Sequence, residues 1–65
     1  MNKTLVNFRN NKNMSQVQFA RHIGVSTSFL SKVELGIRQP SFGFMKKLKD
    51  AFDDVNVDEI FFDKQ

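Results

Sequence analysis

A chain of 65 residues with a net charge of +3 and no cysteine has room for one domain, held by apolar packing rather than by disulfides or a thiolate-bound metal. Eight phenylalanines supply most of that packing, and because folding at this size removes only about 60% of the unfolded chain's surface from water, each large side chain counts. The start, MNKTLVNFRNN, lacks the apolar run of a signal peptide, and no stretch approaches the ~20 apolar residues of a membrane span, so a cytoplasmic protein is the expectation.

The first helix is predicted from about Thr4 to Lys12, amphipathic through Leu5, Val6 and Phe8, and the polar run Asn10 to Asn13 ends it. Ser15 starts the second, with Gln18 three residues on to complete an S-x-x-Q capping box. Val17, Ala20 and Ile23 are expected to face the core, with Gln16, Arg21 and His22 turned away from it. Gly24 breaks this run where the backbone needs positive φ, which glycine adopts without a Cβ penalty, and Val25 tucks into the turn. Ser26 is the next N-cap, opening a third helix with Leu30 and Val33 inward and Gly36 as its left-handed terminator. The outer face of that helix carries Thr27, Ser28, Ser31 and Lys32. Short hydroxyls are poor helix formers, so something other than local stability selected them. Pro40 and Ser41 announce a fourth helix from Phe42 to about Phe52, buried through Phe44, Met45, Leu48 and Phe52. Asn56 and Glu59 form a second capping box for a last short helix carrying Val57, Ile60 and Phe61. No segment alternates long enough to be a strand.

Charge is segregated along the chain. From Met1 to Lys49, nine basic residues (Lys3, Arg9, Lys12, Arg21, Lys32, Arg38, Lys46, Lys47 and Lys49) face the single acid Glu34. From Asp50 onward, Lys64 alone opposes Asp50, Asp53, Asp54, Asp58, Glu59 and Asp63. A basic body with an acidic end fits a molecule that turns one face to a polyanion and another to water or a protein partner. Enzyme chemistry finds no foothold. His22 is the lone histidine, with no second histidine or cysteine to share a metal, and neither a phosphate loop nor a defensible catalytic triad is present. Accordingly no metal, no cofactor and no small-molecule substrate are expected.

Taken together, Leu5-x-x-Phe8-Arg9, Ser15-Gln16-x-x-Phe19-Ala20, Ile23-Gly24-Val25-Ser26, Leu30-Ser31-x-Val33-Glu34-x-Gly36, Pro40-Ser41 and Ile60-Phe61 resemble the Xre/Cro-like helix-turn-helix DNA-binding domains of phage repressors and bacterial regulators. Each fragment alone is unspecific; their joint spacing over nearly the whole chain is not. The resemblance implies an all-α, compact bundle of four or five short helices forming one domain over residues 1–65, with a helix-turn-helix at about 15–35. In it, Ser15 to His22 would be the positioning helix and Ser26 to Leu35 the recognition helix, lying in the DNA major groove.

Roles follow from that placement. Side chains near the start of a recognition helix reach base edges, so Thr27, Ser28 and Lys32 are the expected readers, with Ser31 a further candidate. Hydroxyls discriminate less than bidentate groups, which leaves part of the specificity to thymine methyls or DNA shape. Phe29 has two readings: packing under the turn, or touching sugar and methyl groups. Phosphate contacts are expected from Gln16, beside the start of the positioning helix, from Ser26, from Arg38 and Gln39 in the following loop, and from the N-cap Ser41. For Arg38 a solvated loop cation is the rival reading. By resemblance Arg9 and Glu34 form a partly buried, architectural ion pair.

Two classes of function stay open. One is a sequence-specific regulator of double-stranded DNA, a repressor on a palindromic operator, working as a homodimer because one short helix reads too few base pairs to be selective. The other is an antitoxin or protein-interaction module whose main task is to hold a protein partner; the basic recognition face argues against lost DNA binding. Phe61 and Phe62 are adjacent, so one helix face cannot bury both, and Phe62 either fills a crevice of the core or is offered to a second copy.

Overall fold

The computed structural model describes residues 1–62; Asp63 and Lys64, two of the charges at the acidic end, lie outside the described residues. Five helices follow in order: α1 (Lys3–Asn11), α2 (Gln16–Ile23), α3 (Thr27–Leu35), α4 (Phe42–Ala51) and α5 (Val57–Phe61). Among the described residues every regular element is α-helical, and no helix is long and apolar enough to cross a membrane.

Local chemistry accounts for the boundaries. Ser15, Ser26 and Ser41 each accept a hydrogen bond from the amide three residues on, satisfying one of the donors that a helix start leaves open. At Ser15 the box closes in both directions, with Gln18 N donating to Ser15 Oγ at 3.1 Å and Ser15 N donating to Gln18 Oε1 at 2.9 Å. Asn56 supplies one half of the expected second box by accepting from Glu59 N at 3.0 Å. α2 and α3 both end in left-handed glycines, Gly24 at φ 86° and Gly36 at φ 81°. Between α1 and α2 the same role falls to Asn13 at φ 59°, a residue whose short polar side chain tolerates that region.

The first helix begins one residue earlier than Thr4 because Asn2 caps it, accepting from Leu5 N at 3.0 Å. The amide of the same side chain donates to Ile60 O at 3.0 Å, and the Asn2 backbone N donates to Glu34 O at 2.7 Å. One residue thus joins the starts of α1, the end of α3 and α5.

The core gathers Leu5, Phe19, Leu30, Phe44 and Leu48, all essentially inaccessible, with Ala20, Ile23, Val33, Phe52, Val55 and Ile60 around them. Phe19 and Phe52 stack at 5.4 Å between centroids, and Phe8 meets both edge-on at 6.3 and 5.4 Å, an arrangement aromatic quadrupoles favour. Two expectations need correction. Val17 is 51% exposed, because the buried face of α2 is set by Phe19, Ala20 and Ile23, and Val17 sits roughly 110° round the helix from its middle. Met45 is half-buried rather than buried.

Candidate nucleic-acid interface

The break between α2 and α3 is built from three fixed points. Gly24 N and Val25 N both donate to Ala20 O at 2.9 Å, closing the end of α2. Half-buried Val25 packs on the core, and Lys47 Nζ reaches from α4 to donate to Gly24 O at 3.2 Å. Ser26 then restarts the chain as α3, with its Oγ accepting from Phe29 N at 3.1 Å.

At 100° per residue, Thr27, Ser28, Ser31 and Lys32 fall within an arc of roughly 140° on α3, while Leu30, Val33 and Glu34 occupy the opposite side. Ser28 and Lys32 are exposed and Thr27 and Ser31 half-exposed, whereas Leu30, Val33 and Glu34 are buried. The expected readers therefore share one open face. Leu35, also exposed, lies on that arc at its C-terminal end, a member the sequence pattern does not single out because a leucine at helical spacing reads as core.

Glu34 is 2% exposed and fully engaged. Arg9 Nε donates to its Oε2 at 2.8 Å and Arg9 Nη2 to its Oε1 at 3.2 Å, a bidentate pair linking α1 to α3. Arg9 Nη1 also holds Met14 O at 3.0 Å. A third donor arrives from α2: Gln16 Nε2 gives a hydrogen bond to Glu34 Oε1 at 2.8 Å. That is a correction to the expectation that Gln16 turns away from the core, because a buried carboxylate with acceptor sites left over draws the nearest amide inward. Ser15 Oγ takes the Gln18 amide, and the main-chain N–H groups of Gln16 and Val17 have no intrahelical partner at that helix start.

Charge pairing is uneven over the molecule. Among the described residues Lys12 pairs with Asp54 at 2.7 Å and Lys46 with Asp50 at 3.5 Å, and Lys49 donates to Asp53 O and Val55 O at 2.9 and 3.2 Å. The hydrogen bond from Lys12 holds the Asp54 carboxyl below its ordinary pKa. Arg21, Lys32 and Arg38, like Lys3 on α1 and Lys47 on α4, have no ion-pair partner among the described residues. Ser26, Arg38, Gln39 and Ser41, the expected phosphate contacts, are all exposed. Phe29 is half-buried, with its ring edge-on to Phe44 at 5.5 Å, and the Arg38 guanidinium lies over it at 5.3 Å.

Away from this surface, Phe61 packs edge-on to Phe44 at 6.0 Å, while Phe62 is 59% exposed. Phe62 lines an apolar groove of about 610 Å³ with Phe42, Met45 and Val57. The His22 ring lies against Phe52 at 5.0 Å, and among the described residues no group of three His, Asp or Glu side chains is placed to hold a metal ion.

A family model for helix-turn-helix domains matches residues 5–60. No curated protein and no solved structure matches the chain. Five helices in this order, an open polar arc on α3 and a family match spanning most of the sequence lead to one conclusion: the chain belongs to the Xre/Cro-like helix-turn-helix family of DNA-binding regulators.

Proposed function

We propose that the protein is a repressor that binds a palindromic operator as a homodimer, residues 1–65 acting as one domain, with α3 in the major groove of each half-site. Thr27, Ser28 and Lys32 read base edges, assisted by Ser31, and Lys32 suits guanine O6 and N7. The open amides of Gln16 and Val17, together with Ser26, Arg38, Gln39 and Ser41, meet phosphates and fix the register without reading sequence. The observation that carries this reading is the open hydroxyl-and-lysine arc of α3, set opposite the buried Leu30 and Val33 and accompanied by cations without carboxylate partners among the described residues.

Phe62 is the proposed dimer contact, supported by its exposure beside the apolar groove. The same groove is what an antitoxin-like module would use to hold a different protein. Selection of bound duplexes from a random pool tests the repressor reading. A dimeric repressor enriches inverted half-sites centred about one helical turn apart, whereas a helix-turn-helix scaffold that has lost DNA binding enriches none. Phe62→Asp should lower both sedimentation-measured self-association and operator binding; a variant that matches the parent protein in both assays removes Phe62 from the interface.

A further inference from the structure

We infer that Phe29 is a positioning residue for DNA binding: its ring presets the Arg38 guanidinium as a grip on the duplex backbone at the end of the reading arc. The inference rests on the DNA-facing reading of α3 and adds a residue to it.

Arg38 is held at both ends. Its main-chain N donates to Lys32 O at 3.2 Å, a carbonyl also bonded by Ile37 N at 3.0 Å, so the loop leaves α3 in a fixed direction. Its guanidinium lies over Phe29 at 5.3 Å, within reach of a cation–π attraction. The ring beneath is itself anchored, edge-on to the buried Phe44. An exposed arginine on a surface loop ordinarily loses rotamer freedom when it grips a ligand, and a rigid platform removes part of that loss before the ligand arrives. With its Cζ over the ring, the Arg38 guanidinium has no carboxylate paired with its N–H donors among the described residues. Paired phosphate oxygens match that planar fork, which an ammonium does not reproduce.

The test uses a short mixed-sequence duplex, because a backbone grip acts on any sequence. Arg38→Ala should weaken binding and reduce the slope of log affinity against log salt by about 0.9, the loss of one phosphate contact. Phe29→Leu, which keeps an apolar side chain and removes the π face, should weaken binding about threefold to tenfold. Adding Arg38→Ala to Phe29→Leu should then cost less than it does alone, and Phe29→Tyr, which keeps the face, should bind like the parent. Multiplying effects, or Phe29→Tyr failing as Phe29→Leu does, would overturn the inference. Arg38→Lys guards against a folding defect in Phe29→Leu: it keeps the charge, lies on the surface, and should still bind more weakly than the parent, so parental binding by Arg38→Lys also overturns the inference. If the parent protein shows no salt-dependent attraction to the duplex, the proposed function itself fails; if it binds and the cycle is multiplicative, only the Phe29 assignment falls.

Discussion

The α2–α3 half and the α4–α5 half use the same residue types for different ends. In the first, both helices are capped at the start by serine and stopped by left-handed glycine. Arg21, Lys32 and Arg38 stand there without carboxylate partners among the described residues. In the second, Lys46 meets Asp50, Lys49 ties down two carbonyls, and α4 ends in extended Phe52 rather than in a glycine. On α4, Lys46 is held by a carboxylate and Lys47 and Lys49 by backbone carbonyls. Arg21, Lys32 and Arg38 face water on a frame stiffened from behind, where Glu34 of α3, the one buried carboxylate among the described residues, takes hydrogen bonds from α1 and α2.

The most severe way to break this contrast is to remove the support from behind. Arg9→Ala leaves Glu34 buried with Gln16 as its remaining side-chain donor, and should destabilise the fold by about 3 to 5 kcal/mol, read as a fall in the urea midpoint. A loss below about 1 kcal/mol would place the pair among ordinary surface bridges. Next is a change on the open face: Lys32→Ala should leave folding intact and cost about 1 to 3 kcal/mol of discrimination at a single base pair, seen as one relaxed position in duplex selection. Relaxation at several positions at once would mean that α3 had shifted.

A finer probe concerns the break itself. Gly24 has no atom within 4 Å of where a Cβ would stand, so Gly24→Ala isolates backbone strain and should cost about 1 to 2 kcal/mol, with the denaturant slope unchanged. The smallest effect belongs to the acidic end. Because the Asp54 pKa is lowered from 3.8 in the folded state, its pairing with Lys12 stabilises above that value and fades as pH falls through the folded one. Asp54→Asn should therefore lower the thermal midpoint slightly at neutral pH and match the parent in acid. An equal offset at both pH values would assign the effect to something other than ionisation.

Helix starts and stops were legible in the sequence because they are decided within four residues: Ser15, Ser26, Ser41, Gly24 and Gly36 act on neighbours they can reach. So was the open polar face of α3, since hydroxyls at helical spacing stand out against propensity. What stayed hidden depends on distant partners. Which of Val17 and Phe19 points inward is settled by the rings of Phe8 and Phe52, and the inward turn of Gln16 by a carboxylate on another helix. Neither Lys12 with Asp54 nor Lys47 with the Gly24 carbonyl leaves a trace in local spacing.

Asn2 works as a buckle. Its side chain clasps the carbonyl of Ile60 and its backbone clasps that of Glu34, so one small amide closes a circuit around nearly the entire polypeptide. Unfastening the Ile60 clasp would let the terminal five-residue helix lift while α2 and α3 stay closed about Glu34, and amide exchange in α5 should then outpace exchange in the recognition pair.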